Sequence, residues 1–227
     1  LVFSLLPTAV LADTITYGKF EFDTNTGTIT KYLGTATTVT IPDKIADVTV
    51  TALGEGLFKD NTQLKTVVLP DTITSIAPSA FYECTNLTNI NIPDGVTSIG
   101  DSAFYGCTHL NNVTIPTTVK EIGSSAFHGN TALTSITILG TIKNIEESTF
   151  DGCSKLSTIT LQEGVEKIGK GAFAGTSAKQ VTIPESVKEI GDFAFQMSAL
   201  TSIYIPEGVE TIGAEAFSMS DSLTLVI

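Results

Sequence analysis

Few side chains in this chain could carry chemistry, and their spacing limits what that chemistry could be. Two histidines, His109 and His128, and three cysteines, Cys84, Cys107 and Cys153, are the candidate bases, nucleophiles and soft metal ligands. A nucleophile needs a base within hydrogen-bond reach, itself oriented by a third group. No Ser-His-acid set, zinc-ligand spacing or glycine-rich phosphate loop occurs. The histidines fall at different phases of a repeat, so nothing brings them together, and each is read as solvated on a loop. Carboxylates do line up at one phase: Asp71, Asp94, Glu163, Glu185 and Glu207. Glu163, Glu185 and Glu207 would form an acidic row on adjacent rungs, and oxygen ligands so spaced could hold Ca²⁺. A solvated edge is the simpler reading, because no Asp-rich calcium motif accompanies them. The expectation is therefore no catalytic residues, no metal, no cofactor and no enzyme.

The bulk numbers narrow the class further. Of 227 residues, 42% are hydrophobic and 16% charged, which argues for a folded core. The net charge of -12 argues against nucleic acid or an anionic membrane, both of which require clustered basic side chains. Residues 1–12, LVFSLLPTAVLA, read as the remnant of a secretory signal peptide cleaved after Ala12, so a secreted or cell-surface location is expected, with no membrane insertion after cleavage.

The elements that must position everything else come from a repeat. The phrase NIPDGVTSIGDSAFYGC at 91–107 returns as TIPTTVKEIGSSAFHGN, TIPESVKEIGDFAFQMS and YIPEGVETIGAEAFSMS. Anchored on Phe58, Phe81, Phe104, Phe127, Phe150, Phe173, Phe195 and Phe217, the units are spaced by 23 residues five times and then by 22 twice. A fixed period of this size signals a solenoid. Apolar pairs at i, i+2, such as Ile90/Ile92, Val113/Ile115 and Ile136/Ile138, mark a short strand with one face buried. A proline commonly follows and ends it. A second pair three apart, such as Val96/Ile99 or Val119/Ile122, predicts another short extended segment. A glycine usually comes next, then Ala-Phe, read as one helical or 3₁₀ turn that drives the Phe ring into the centre, so that stacked rings form a spine.

Three residues past each Phe stand Asn61, Cys84, Cys107, Asn130, Cys153, Thr176, Ser198 and Ser220. All are small and able to bond nearby backbone. The cysteines are thus one choice at a turn position, and free thiols are expected. Lys143, Glu166, Lys188 and Glu210 share one phase and alternate in sign, and Lys167 and Glu189 share the next, which predicts inter-rung charge pairs.

With Leu64, Leu87, Leu110, Leu133, Leu156, Leu200 and Leu223 before each strand, the frame is L-x-x-I-x-I-P-x-x-V-x-x-I-G-x-x-A-F-x-x-C/N. It resembles the BspA-like leucine-rich repeat family of bacterial surface proteins over about residues 38–227. The resemblance implies a curved, right-handed solenoid with a parallel sheet on its concave side, and adhesion to host matrix proteins or other cells. Departures are local: Leu139-Gly140 and Leu161-Gln162 replace the proline step, and Ala178 stands where Leu is expected.

The expected organisation is a leader at 1–12, an N-terminal capping hairpin at 13–37 built on Tyr17, Phe20 and Phe22, and a solenoid at 38–227. Five extra residues in the first unit are placed in a loop at KIADV, and the final rung is a place for end-to-end self-association. Outward positions of the concave strands are polar and nearly free of aromatics. Asn89, Asn91, Asn112, Thr114, Thr137 and Tyr204 are the candidate contacts for a protein or a glycan. A rigid spacer presenting another region is the competing function, and a carbohydrate-binding module, short of aromatic platforms, is a third.

Overall fold

The computed structural model describes residues 14–226, so the leader at 1–12 lies outside the described residues. Each unit makes one circuit of a β-solenoid, and the circuits stack in register. The first ladder runs through Thr38–Thr40, Thr66–Val68 and Asn89–Ile90, resumes with Ser135–Ile138 and Thr158–Leu161, and ends with Gln180–Thr182, Ser202–Tyr204 and Leu225–Val226. It lines the concave face. A second ladder follows the bend, through Ala52–Leu53, Ser75–Ile76, Ser98–Ile99 and Glu121–Ile122, then Asn144–Ile145, Lys167–Ile168, Glu189–Ile190 and Thr211–Ile212. All rung-to-rung pairs are parallel and equivalent, as in Ile99↔Ile122 and Ile168↔Ile190. Among the described residues, none lies in a helix, and no helix is long and apolar enough to cross a membrane.

The Ala-Phe segment departs from the helical turn expected of it. In every unit the residue two before Phe and the residue two after it are left-handed, for example Ser102 (φ 53°) and Gly106 (φ 67°) around Phe104. A helix cannot accommodate such alternation. Alternate N–H groups close tight turns, as Tyr105 to Ser102 O at 3.1 Å does. The others leave the unit altogether: Phe104 N–H donates to Ala126 O at 2.8 Å and Gly106 N–H to His128 O at 2.8 Å. These bonds form a third ladder pointing toward the C-terminus. The sheet bonds point the other way, as Gly123 N–H to Ile99 O at 2.9 Å shows.

The Phe rings do stack. Successive centroids from Phe58 to Phe217 lie 5.1 to 5.6 Å apart with interplanar angles of 16° or less. From Phe81 to Phe195 the rings are fully buried, each worth about 1.5–3 kcal/mol of burial. One continuous core joins them to the Leu, Ile and Val positions of both ladders.

At the N-terminal end, Thr14–Tyr17, Phe20–Asp23 and Thr28–Tyr32 make a three-stranded antiparallel meander, one strand more than a hairpin. Its last strand joins the second ladder through Ile29↔Leu53. The KIADV stretch is a tight hairpin rather than a loop: Lys44–Ile45 pairs with Val48–Thr49 across Ala46 and Asp47, both left-handed (φ 48° and 63°). That is the sign pattern of a two-residue turn matched to strand twist, and it buries Ile45.

Candidate interaction surface

The polar positions of the solenoid divide by whether they bond to a neighbouring rung. On the flank of the second ladder, Thr74 Oγ1 donates to Thr51 O and Thr97 Oγ1 to Thr74 O, at 3.2 and 3.3 Å. Lys143 pairs with Glu166 and Lys167 with Glu189, each at 2.9 Å. Lys188 instead reaches Gly208 O at 3.4 Å. The carboxylate of Glu163 accepts from the N–H groups of Glu185 and Ser186 at 3.0 and 3.2 Å. The acidic row thus begins as an inter-rung cap. Among the described residues, no group of three or more His, Cys, Asp or Glu converges as metal ligands would.

Past five of the Phe residues, the small polar residue bonds back one rung. Cys84, Cys107 and Cys153 Sγ donate to the carbonyls of Phe58, Phe81 and Phe127 at 3.0, 3.1 and 3.1 Å. Asn130 Nδ2 does the same to Phe104 O at 2.8 Å, and Ser220 Oγ to Phe195 O at 3.0 Å. The three cysteines are free and buried. Burial pushes the thiols of Cys84 and Cys153 up to about 12 and that of Cys107 well above its ordinary value. None is a nucleophile at neutral pH.

The histidines do not meet, but only His109 fits the solvated reading. It is exposed, with Nδ1 2.6 Å from Thr85 O. His128 is half-buried and belongs to a row one residue past each Phe: Lys59, Tyr82, Tyr105, His128 and Asp151. Lys59 Nζ lies 4.9 Å above the Tyr82 ring. Tyr82 stacks on Tyr105 at 4.8 Å, Tyr105 on His128 at 4.5 Å, and His128 Nδ1 lies 3.5 Å from Asp151 Oδ2. Reading that phase down the repeat finds the row in the sequence. Its ring faces are covered by one another, so it is no platform for a ligand.

The concave face behaves differently. Asn89, Asn91, Asn112, Thr114 and Thr137 are exposed, and Tyr204 is 48% exposed. No side-chain hydrogen bond within the described residues involves any of these six, nor Thr66, Ser135, Thr158, Thr160, Gln180, Thr182 or Ser202. The structure brings Asn89, Asn91, Asn112 and Thr114 together and adds Asn111 and Thr88, which the sequence reading passed over. They line one groove of about 470 Å³. Thr137 lies on the next strand, and Tyr204 stands apart near the other end of the sheet.

A break in the first ladder makes this groove. Asn89–Ile90 pairs only backward, with Thr66–Val67, and residues 112–115 form no strand. Among the described residues, the backbone of 112–115 makes no hydrogen bond to backbone on either side. Asparagine is poor in strands, and four of them at 89, 91, 111 and 112 flank the break. The rungs remain clamped behind it by Ile99↔Ile122 and by Phe104 on Phe127 at 5.2 Å.

This repeat, rung by rung, matches the model of the BspA type leucine rich repeat region over residues 31–156 and 128–227. The chain belongs to the BspA-type leucine-rich repeat family. A leucine rich cell surface protein from Faecalibacterium prausnitzii, known as a crystal structure, is 33% identical over 94% of this chain, with a TM-score of 0.73. A leucine-rich repeat protein from Bacteroides ovatus is 25% identical over 95%, at 0.65, and one from T. pallidum 25% identical over 88%, at 0.57. The chain spans 54%, 62% and 72% of those three proteins. No curated protein matches it. BspA-type units here carry the two parallel ladders and the Phe column that the frame implies.

Proposed function

We propose that this chain is a bacterial cell-surface or secreted interaction module whose concave sheet docks a macromolecular partner, with Asn89, Asn91, Asn112, Thr114, Thr137 and Tyr204 among the contacts. Residues 14–37 serve as the N-terminal cap of a solenoid that begins near residue 38. One observation carries this reading. The hydroxyls and amides of the concave rows are exposed and unspent, while several on the other faces, such as those of Thr74, Thr97 and Asn130, bond between rungs. Exposed groups without internal partners are free to bond a ligand, and an uncharged strip admits a neutral polar surface. The cell-surface protein of Faecalibacterium prausnitzii supports the location.

The test is an array of immobilised matrix proteins and glycans probed with the purified protein and with Asn91→Lys/Thr137→Lys. Saturable capture that the folded variant loses supports the concave site. Capture that the variant keeps moves the site elsewhere. A second reading, a rigid spacer, is favoured by the unbroken Phe column, and absence of capture by any immobilised molecule would select it.

A further inference from the structure

The groove at the ladder break combines two unusual features. Four asparagines, Asn89, Asn91, Asn111 and Asn112, place around it exposed carboxamides with no partner among the described residues, bordered by the hydroxyl of Thr114 and by Thr88, whose hydroxyl donates to Lys65 O at 3.1 Å. Behind them the backbone of 112–115 offers N–H and C=O groups that no ladder uses. The volume, about 470 Å³, lies within the range of small-ligand sites, about 300–1,000 Å³.

The lining selects among ligands by elimination. It contains no Lys, Arg, Asp or Glu, so a charged group would be desolvated there without a counter-charge. It contains no aromatic ring and no arginine, the residues on which protein hot spots are built. An inserted peptide strand would require the two rungs to stand about 9.6 Å apart, twice the strand spacing, and the clamp at Ile99↔Ile122 and Phe104–Phe127 holds them near one spacing. What remains is a neutral ligand carrying many hydroxyls in fixed geometry. A carboxamide presents a donor and an acceptor side by side, the complement of two neighbouring hydroxyls on a sugar ring.

We infer that this groove is a subsite for a neutral oligosaccharide, held edge-on by the asparagine carboxamides. The inference rests on the concave face being the interaction surface, and it names the ligand class there. Without a stacking ring, affinity per site is weak, with Kd on the order of 1 mM. A polymer that presents many copies, or many copies of this protein on one cell, would raise the avidity.

The experiment is amide NMR of the ¹⁵N-labelled protein, titrated with a panel of soluble neutral oligosaccharides (gluco-, manno-, galacto- and N-acetylglucosamine series), with a heparin fragment and a Thr/Val-rich extended peptide as comparators. The expected result is saturable shifts confined to residues 88–92 and 111–115 with at least one neutral sugar. Asn91→Ala/Asn112→Ala should weaken them at least tenfold with unchanged thermal midpoint. Asn91→Gln/Asn112→Gln, which keeps the amides, should retain binding if the double alanine variant fails to fold. No shift with any neutral member, or shifts with heparin or peptide alone, overturns the inference. Lysine substitution at Asn91 and Thr137 that still abolishes capture of an immobilised protein would show the interaction surface standing while the glycan subsite falls.

Discussion

The side-chain amide of Asn130 donates to the carbonyls of Phe104 and Phe127, both at 2.8 Å, and so bonds two successive rungs at the spine. Cysteine at the same phase in three other rungs makes the inter-rung half of this arrangement through sulfur. The carbonyls served are buried, so their partners matter more than their chemical identity. Asn130→Ala should cost about 0.5–1.5 kcal/mol in urea unfolding, the usual net worth of a hydrogen bond, because Phe127 O keeps Cys153 Sγ at 3.1 Å and Phe104 O keeps the N–H of Cys107 at 3.4 Å. Cys107→Ser, which keeps a donor in place, should cost less than Cys107→Val, which removes it.

The buried thiols set a pH signature. Cys84 and Cys153 titrate near 12 when folded, against about 9 in the open chain. A raised folded value favours the folded state fully below the unfolded pKa and loses that contribution as pH climbs through the folded one. The urea midpoint should therefore fall between about pH 9 and 12, and Cys84→Ser/Cys153→Ser should flatten the fall. At pH 8 the folded protein should leave a thiol reagent unconsumed, and the denatured protein should consume three equivalents.

Asp151 is half-buried beside His128, and burial pushes its carboxyl above the ordinary range, with the histidine opposing. Its preference is for the protonated form, so its contribution is present at low pH and lost as pH rises through its folded value. Asp151→Asn should raise the thermal midpoint at pH 8, where the half-buried carboxylate is charged. The gain should shrink as the pH falls toward 4.

Left-handed backbone is tolerated here by residues that rarely adopt it. Met197 sits at φ 53° with 59% of its surface exposed, at a phase that Gly106, Gly129, Gly152 and Gly175 occupy in earlier rungs. A non-glycine residue in that region costs about 1–2 kcal/mol. Met197→Gly should raise stability by up to that amount, and Met197→Val should lower it, read from denaturant midpoints at constant slope.

Much of the fold was legible because the repeat averages out local ambiguity. Leu87, Ile90 and Ile92 alone leave strand and helix open, but the same phase filled six more times does not. The turn at Ala103-Phe104 was misread because serine, at 79, 102, 125 and 148, hides a left-handed position that glycine would have announced. The hairpin at Ala46-Asp47 was hidden for the same reason. His128 reads as solvated in the sequence because its partners, Tyr105 and Asp151, are 23 residues away on either side and adjacent only after stacking. The asparagine cluster was visible in the sequence. The broken ladder that turns it into a groove was not, since it depends on how rungs 89–92 and 112–115 sit against each other.

Matched charge placement on two faces tests the central claim most directly. Asn91→Lys/Thr137→Lys adds two cations to the concave sheet, and Asn144→Lys/Thr211→Lys adds two at exposed positions of the second ladder. Binding of each variant to the captured partner should be measured by equilibrium titration, with thermal midpoints confirming the fold. Loss of binding in the concave variant alone is the predicted result. Equal loss in both, or loss only in the second-ladder variant, would contradict the assignment of the concave sheet as the interaction surface.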